Sequence, residues 1–289
     1  MRICSAYDIT LRTSSFLLSP IPYPPSPSIL PMILLIDIGN TRIKWAQLDK
    51  GALGAQAAAA HGEDRVHVFE RIARDARTPE RILVSNGGGF EIGELCARVF
   101  EQHLKMTPDF VESAKRAMGV TNAYRDHLKL GVDRWLAMIA AHRIKRSAVC
   151  VVSVGTAMTI DGVDASGQHL GGVIVPGPNL MISSLLKNTS DIAHRMSPAE
   201  LKRTVFADHT LGAVYQGCAH ALAALIERAW QEMCAHIGSE PLLLVTGGAA
   251  AELLPLIKIP SEQLDDLVLR GLALMAMEGN EGRNEGMRE

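Results

Sequence analysis

The sequence predicts an α/β protein built from two related halves, with mixed sheets flanked by helices and a ligand cleft between the halves. Two segments carry the prediction, at 33–48 and at 149–163. Each begins with an apolar strand, passes through a glycine turn and continues as a strand in which polar and apolar residues alternate. Helix patterns lie between these units, and a duplicated strand–turn–strand unit with intervening helices is typical of the α/β class.

The individual elements follow from hydrophobic periodicity. In the first half we predict strands at 33–38, 43–48, 55–60 and 81–85, and a final helix at 135–146. In the second half we predict strands at 149–154, 158–163, 169–175 and 242–246, and a long helix at 212–236. The last helix is predicted to start after Pro260, with Ser261 as its N-cap.

The composition excludes several classes of protein. The chain has 289 residues and a net charge of −2, with no stretch dense in Lys or Arg, so neither nucleic acid nor a membrane is an expected partner. The 5 cysteines are scattered and form no CxxC pair, which argues against a disulfide framework or a structural zinc site. We therefore expect a cytoplasmic protein.

The first 31 residues differ from the rest of the chain. They carry three charges (Arg2, Asp8 and Arg12), and their second half is crowded with proline. Such a segment favours disorder or a polyproline conformation, so we interpret 1–31 as a disordered leader or a mis-assigned start, with Met32 as the initiator. The predicted halves are then 32–146 and 147–278, followed by a flexible tail at 279–289.

The first glycine turn carries residues suited to phosphate. Gly39 allows the backbone to approach a ligand closely, while Asn40 and Thr41 supply short hydrogen-bonding groups. Lys44 supplies a positive charge, and Asp37, at the end of the strand, is a candidate ligand for Mg²⁺. An ordinary Gly-Asn hairpin turn is the alternative.

Two further turns extend this hypothesis to a nucleotide site. Gly155-Thr156-Ala157, with Asp161 downstream, repeats the first turn, and two such turns facing one cleft would clamp a nucleotide from both sides. Gly247 and Gly248 follow another apolar strand, where close backbone approach suits an adenosine. A plain strand-to-helix turn explains this last pair equally well.

A candidate catalytic group lies where the last helix of the first half begins, at Gly131-Val132-Asp133-Arg134. In one interpretation Asp133 caps the helix and Arg134 is solvated. In the other, Asp133 accepts the proton of a substrate hydroxyl and Arg134 binds an anionic group, as a small-molecule kinase requires.

Together these segments resemble the type III pantothenate kinase family, within the sugar kinase, Hsp70 and actin superfamily. The resemblance spans about 32–277 and rests on the order and spacing of five segments: Asp37–Thr41, Gly131–Trp135, Gly155–Asp161, Gly171–Gly177 and Thr246–Gly248. It implies two duplicated ribonuclease H-like (actin-like ATPase) domains. It also implies an Mg²⁺-dependent homodimer that phosphorylates pantothenate with ATP and supplies 4′-phosphopantothenate for coenzyme A synthesis.

The resemblance also implies residue roles. Asp133 would be the base on the pantothenate hydroxyl, and Thr210 would reach pantothenate from the dimer partner. The ATP site would comprise Asp37, Ile38, Gly39, Asn40, Thr41, Arg42, Ile43, Lys44 and Thr156, to which we add Gly247 and Gly248. The remaining pantothenate contacts would be Tyr124, Gly131, Val132 and Arg134.

The chain departs from the family pattern at two positions. Most members carry an aspartate for K⁺ or NH₄⁺ at the position of Ser153, so we predict weak or absent activation by a monovalent cation. Asp208-His209 precedes Thr210 where an asparagine is common, which weakens the assignment of Thr210.

Two other functions stay open: a superfamily kinase for a sugar or an acetyl-type acid, and a non-catalytic regulatory or accessory nucleotide-binding protein. The presence of Asp37, Lys44 and Asp133 favours catalysis over the regulatory alternative, because a non-enzymatic protein has no need of a base.

Overall fold

The computed structural model describes residues 32–60, 64–76, 78–189, 192 and 204–285, so the predicted leader at 1–31 lies outside it. The strands are β1 (Ile33–Ile38), β2 (Arg42–Asp49), β3 (Ala52–Leu53), β4 (Ala57–Ala60), β5 (Arg81–Asn86), β6 (Asp109–Phe110), β7 (Arg116–Ala117), β8 (Val120–Thr121), β9 (Val149–Val154), β10 (Ala157–Val163), β11 (His169–Pro176), β12 (Leu242–Thr246) and β13 (Ser261–Gln263). The helices are α1 (Arg65–Asp75), α2 (Phe90–Leu104), α3 (Val132–Lys145), α4 (Pro178–Asn188), α5 (Thr210–Ile237), α6 (Ala250–Leu253) and α7 (Leu267–Glu285).

The first sheet has the strand order β3-β2-β1-β5-β6, and β4 pairs with β2. Strand β1 runs antiparallel to β2 and parallel to β5, which places Asp37 between Lys44 and Ser85 in register. All six residues of β1 are buried, because alternate side chains enter two different cores. Leu34 belongs to the core with α1 and α2, and Leu35 to the core with α3 and α7.

The second sheet repeats the first. Its order is β11-β10-β9-β12-β13, with β9 antiparallel to β10 and parallel to β12. Ser153 lies between Thr159 and Thr246 in register, just as Asp37 lies between Lys44 and Ser85. The predicted equivalence of the two strand–turn–strand units is therefore confirmed at the level of individual strand partners.

Helices α3 and α7 join the two sheets. Trp135 of α3 packs with β9 residues of the second sheet, whereas Leu136 packs with β1 residues of the first. Helix α7 packs on the first sheet through Leu269 and Leu272, and on the second through Leu267 and Leu274. A Cβ at Gly271 would collide with the backbone carbonyl of Leu136, so the close crossing of α3 and α7 requires glycine there.

Two predicted helix starts differ from the structure by three residues or more. Helix α3 begins at Val132, three residues before the predicted start, and so includes the Asp133-Arg134 pair. The prediction that the last helix starts after Pro260 is wrong, because Ser261–Gln263 form β13, which pairs in parallel with β12. That helix begins at Leu267 and continues to Glu285, into the predicted tail, whose residues 286–289 are outside the described part. Within the described ranges, no helix is long and apolar enough to cross a membrane.

Candidate active site

The carboxylate of Asp37 lies at the end of β1 and is 8% exposed. The hydroxyl of Ser85 donates to it at 3.1 Å. Burial raises the pKa of Asp37 to about 6; the charge of Lys44 opposes this, the charge of Asp133 adds to it, and the Ser85 hydrogen bond opposes it. A buried carboxylate with a raised pKa is suited to a cation that would restore its charged form.

The glycine turns of the two halves meet at this end of the sheets. The Thr41 and Thr156 hydroxyls hydrogen-bond to each other, although the two residues are 115 positions apart in the sequence. The first turn is closed by the Gly39 N–H, which donates to the Arg42 carbonyl at 3.0 Å. The Gly177 N–H donates to the Thr156 carbonyl at 2.9 Å. The structure therefore brings the two predicted turns into contact.

The third glycine turn, at Gly247-Gly248, lies next to the other two turns. Gly247 has a φ of 102°, and a Cβ there would collide with the backbone of Val154, so this position requires glycine. A Cβ at Gly248 would lie 3.6 Å from a guanidinium nitrogen of Arg42. The backbone of the third turn is therefore close to the side chain of Arg42, which follows the first turn.

The residues of the predicted nucleotide-binding segment, 37–44, differ in their exposure to solvent. Ile38 and Ile43 are fully buried in the first core, so their contribution to a ligand site is limited to the backbone. Asn40 and Thr41 are exposed in the turn between them, and Arg42 is exposed at the start of β2.

Asp133 is the second residue of α3 and is exposed. The helix cap is Gly131, which makes no side-chain capping bond, so the interpretation of Asp133 as the cap is wrong. A Cβ at Gly131 would lie 2.7 Å from an Asp133 carboxylate oxygen, so glycine leaves room for that carboxylate. Among the described residues the Asp133 carboxylate has no hydrogen-bond or salt-bridge partner, and its charge contributes to the raised pKa of Asp37. It is therefore an exposed carboxylate, unpaired among the described residues, whose charge acts on Asp37 near the end of β1.

Arg134 is 6% exposed, so the interpretation of a solvated side chain is wrong. Its Nε and Nη2 atoms donate to the two Asp161 carboxylate oxygens at 2.9 and 2.6 Å, and its Nη1 donates to the Tyr124 hydroxyl at 2.9 Å. Burial opposes the positive charge, but the hydrogen bonds and charge of Asp161 raise the pKa of Arg134 above its ordinary value. The sequence analysis grouped Asp161 with the second glycine turn. The structure instead shows Asp161 as the buried partner of Arg134.

The loop before α3 is held by a buried amide. Asn122 is fully buried; its Oδ1 accepts from the Tyr124 N–H at 2.9 Å, and its Nδ2 donates to the carbonyls of Ala114 and His127. Sequence reasoning missed Asn122, Ser85 and His169, because each acts through a partner that is distant in the sequence or belongs to the backbone.

Thr210 is the first residue of α5, where the His209 ring accepts from the Gly212 N–H at 3.0 Å. Thr210 lines an apolar cavity of about 370 Å³ between α4 and α5. The other lining residues are Met181, Leu185, Ile192, Ala213, Val214, Gly217 and Cys218.

Ser153 occupies the position in the second sheet that Asp37 occupies in the first. Its register partners are Thr159 and Thr246, so three hydroxyl side chains replace the Lys44, Asp37 and Ser85 set. In the described ranges, no three His, Cys, Asp or Glu side chains form a group that could hold a metal ion.

Solved structures share this architecture. The chain superposes on a conserved protein assigned to the Baf family of transcriptional activators from Campylobacter jejuni with a TM-score of 0.52 and 22% identity, covering 86% of this chain and 99% of that one. It also superposes on the activator of 2-hydroxyisocaproyl-CoA dehydratase from Clostridium difficile, solved with bound ADPNP, with a TM-score of 0.51 and 14% identity over 88% and 97%. These likenesses confirm the predicted fold, an α/β architecture of two related sheets flanked by helices.

The sequence comparisons identify the family. The type III pantothenate kinase family profile matches residues 33–232. A type III pantothenate kinase from Nitrosococcus oceani is 34% identical over 260 residues, covering 88% of this chain and 97% of that protein. Another from Aromatoleum aromaticum is 37% identical over 247 residues, covering 86% and 98%. The chain belongs to the type III pantothenate kinase family.

Proposed function

We propose that this protein transfers the γ-phosphoryl group of ATP to the hydroxyl of pantothenate, the first step of coenzyme A biosynthesis, in the cytoplasm. Family membership supports the reaction. The exposed carboxylate of Asp133, which has no hydrogen-bond or salt-bridge partner among the described residues, supports the mechanism. Asp133 accepts the hydroxyl proton as that oxygen attacks the γ-phosphorus, and the bond from phosphorus to the bridging oxygen breaks to release ADP. The products are 4′-phosphopantothenate and ADP.

The facing glycine turns support the proposed ATP site. Thr41 and Thr156 meet between the two sheets, and Arg42 approaches Gly248, so phosphates placed there would be met by groups from both halves. Asp37 would hold Mg²⁺ directly or through water, and a bound Mg²⁺ would supply charge neutralisation for the phosphates. Lys44 adds a positive charge on the neighbouring strand.

We assign the pantothenate site to the segment that joins the Tyr124 loop to α3. Gly131 and Val132 lead into the helix that begins with Asp133, and Arg134 and Tyr124 are hydrogen-bonded to each other. A guanidinium has five N–H donors, and three of those on Arg134 are used by Asp161 and Tyr124. The other two are suited to the pantothenate carboxylate.

We propose that the enzyme is a homodimer and that Thr210 of one subunit completes the pantothenate site of the other. A set of exposed apolar side chains lies on β11, on α4 and at 205–215, and one of them, Leu185, also lines the cavity of Thr210. The set consists of Val173, Ile174, Leu180, Leu185, Val205, Phe206 and Tyr215. Such a surface favours a protein partner, and β11 is an edge strand with free pairing capacity.

A substrate panel tests the proposed reaction. The full-length protein with ATP and Mg²⁺ is expected to form 4′-phosphopantothenate from pantothenate, detected by mass spectrometry, and to leave glucose and acetate unphosphorylated. Phosphorylation of a sugar or of acetate in place of pantothenate would identify a different kinase of the superfamily. ATP binding by calorimetry without turnover of any substrate would support the regulatory alternative.

A further inference from the structure

His169 is buried beneath the proposed pantothenate site, with 1% of its surface exposed, and it has no role in the mechanism above. It is the first residue of β11 and contacts both Asp161 and Tyr124, the two side chains to which Arg134 donates hydrogen bonds. Its Nε2 lies 3.2 Å from the Asp161 carboxylate, and its ring lies nearly parallel to the Tyr124 ring, with centroids 6.2 Å apart. This buried imidazole therefore contacts both hydrogen-bond partners of Arg134, Asp161 and Tyr124.

The hydrogen bonds of His169 define its proton position. Its Nδ1 accepts the backbone N–H of Ala123 at 3.3 Å, so the neutral ring carries its proton on Nε2 and donates to Asp161. Asp161 consequently receives three donors, two from Arg134 and one from His169. The carboxylate can neither rotate nor withdraw without breaking one of them.

The neighbouring strand is shaped around this arrangement. Gly172 lies opposite Asp161 in β11, and a Cβ there would collide with the Asp161 carboxylate and lie 2.7 Å from Arg134 Nη2. Glycine is unfavourable inside a strand, so its presence marks a close approach. The backbone of β11 thus encloses the ion pair, while His169 on the same strand fixes its orientation.

We propose that His169 is a positioning residue that, through Asp161, orients the guanidinium of Arg134 for the carboxylate of the substrate. Asp161 cancels the Arg134 charge at long range, so recognition of an anion depends on the direction of the two remaining N–H donors. Loss of the His169 donor frees Asp161 to rotate, and the guanidinium loses its fixed direction. The inference rests on the proposed pantothenate kinase activity and adds the group that makes the site selective for an acid.

Two variants separate the contact of His169 with Asp161 from its contact with the backbone N–H of Ala123. His169→Asn keeps an acceptor near Ala123 but is too short to reach Asp161. His169→Gln places an N–H donor close to the position of Nε2 and so restores the contact with Asp161. The probes are pantothenate and pantothenol, its neutral alcohol analogue, which keeps the phosphorylated hydroxyl but lacks the carboxylate.

We expect H169N to raise the KM for pantothenate roughly tenfold, as the loss of one hydrogen bond to a charged group implies. The constants for pantothenol and the KM for ATP should stay unchanged, and H169Q should recover most of the preference for pantothenate. Equal preference for the acid in wild type and both variants would overturn the inference. An equal loss in both variants, with both substrates and with a lower melting temperature, would instead show a purely structural role. If wild type fails to phosphorylate pantothenate at all, the proposed function itself fails, so the two failures are distinguishable.

Discussion

Replacing Asp37 by asparagine is expected to stabilise the protein while removing a group needed for catalysis. The pKa of this carboxyl rises from an ordinary 3.8 to about 6 on folding, chiefly through burial. A raised pKa means that the folded state binds the proton more tightly than the unfolded state, so stability is lost as pH rises through 6. At 1.36 kcal/mol per pH unit, the ionised carboxylate costs about 3 kcal/mol at pH 8.

The asparagine variant avoids this cost because it is neutral at every pH and its Oδ1 can still accept from Ser85. We expect D37N to exceed wild type in free energy of unfolding by about 3 kcal/mol at pH 8 and by about 1 kcal/mol at pH 4.5, where most of the wild-type carboxyl is protonated in the folded state. Urea titrations at the two pH values, without nucleotide or Mg²⁺, provide the measurement.

Asp49→Asn is the matched control, since Asp49 is an exposed carboxylate at the end of β2. It should change the free energy of unfolding by less than about 0.5 kcal/mol at either pH. A D37N protein that is less stable than wild type at pH 8, or whose advantage does not shrink at pH 4.5, would refute the reasoning. The kinase activity of D37N should be strongly reduced, because the variant lacks the carboxylate that we assign to Mg²⁺. A group that destabilises the fold but is needed for activity is the usual trade-off between stability and function.

Two further predictions concern ions and assembly. Because Ser153 has only hydroxyl neighbours in register, the rate should rise little with K⁺ at constant ionic strength, whereas Ser153→Asp should introduce K⁺ activation; a large saturable rise in wild type would contradict this. Because Ile174 is 60% exposed on the proposed dimer surface, Ile174→Glu should shift sedimentation velocity from dimer to monomer and raise the KM for pantothenate, while Leu242→Glu, at a 46% exposed leucine on β12, should do neither. A wild-type monomer, or a dimeric and fully active I174E protein, would count against the proposed interface.

The sequence predicted the main strands because each turn residue and each alternation is local. The start of α7 was wrong for a tertiary reason: Pro260 and Ser261 read as a helix start, but pairing with β12 holds Ser261–Gln263 as a strand. The sequence of Ser261–Gln263 alone does not indicate that this segment pairs with β12.

The candidate site was predictable where its residues adjoin a glycine turn. The buried pair of Arg134 and Asp161 was not, because 27 residues separate them and the pair depends on which side of β10 packs against α3. One signal was available: Gly171-Gly172 interrupts a strand pattern, and glycine inside a strand indicates close approach by another group.

The most direct test of the central claim compares wild type with Asp133→Asn in ATP-dependent phosphorylation of pantothenate. The variant keeps the shape of an exposed side chain, so its melting temperature and ATP affinity should match those of wild type. We expect kcat to fall by roughly 10² or more, the contribution typical of a positioned general base. A D133N protein that phosphorylates pantothenate at the wild-type rate would contradict the account.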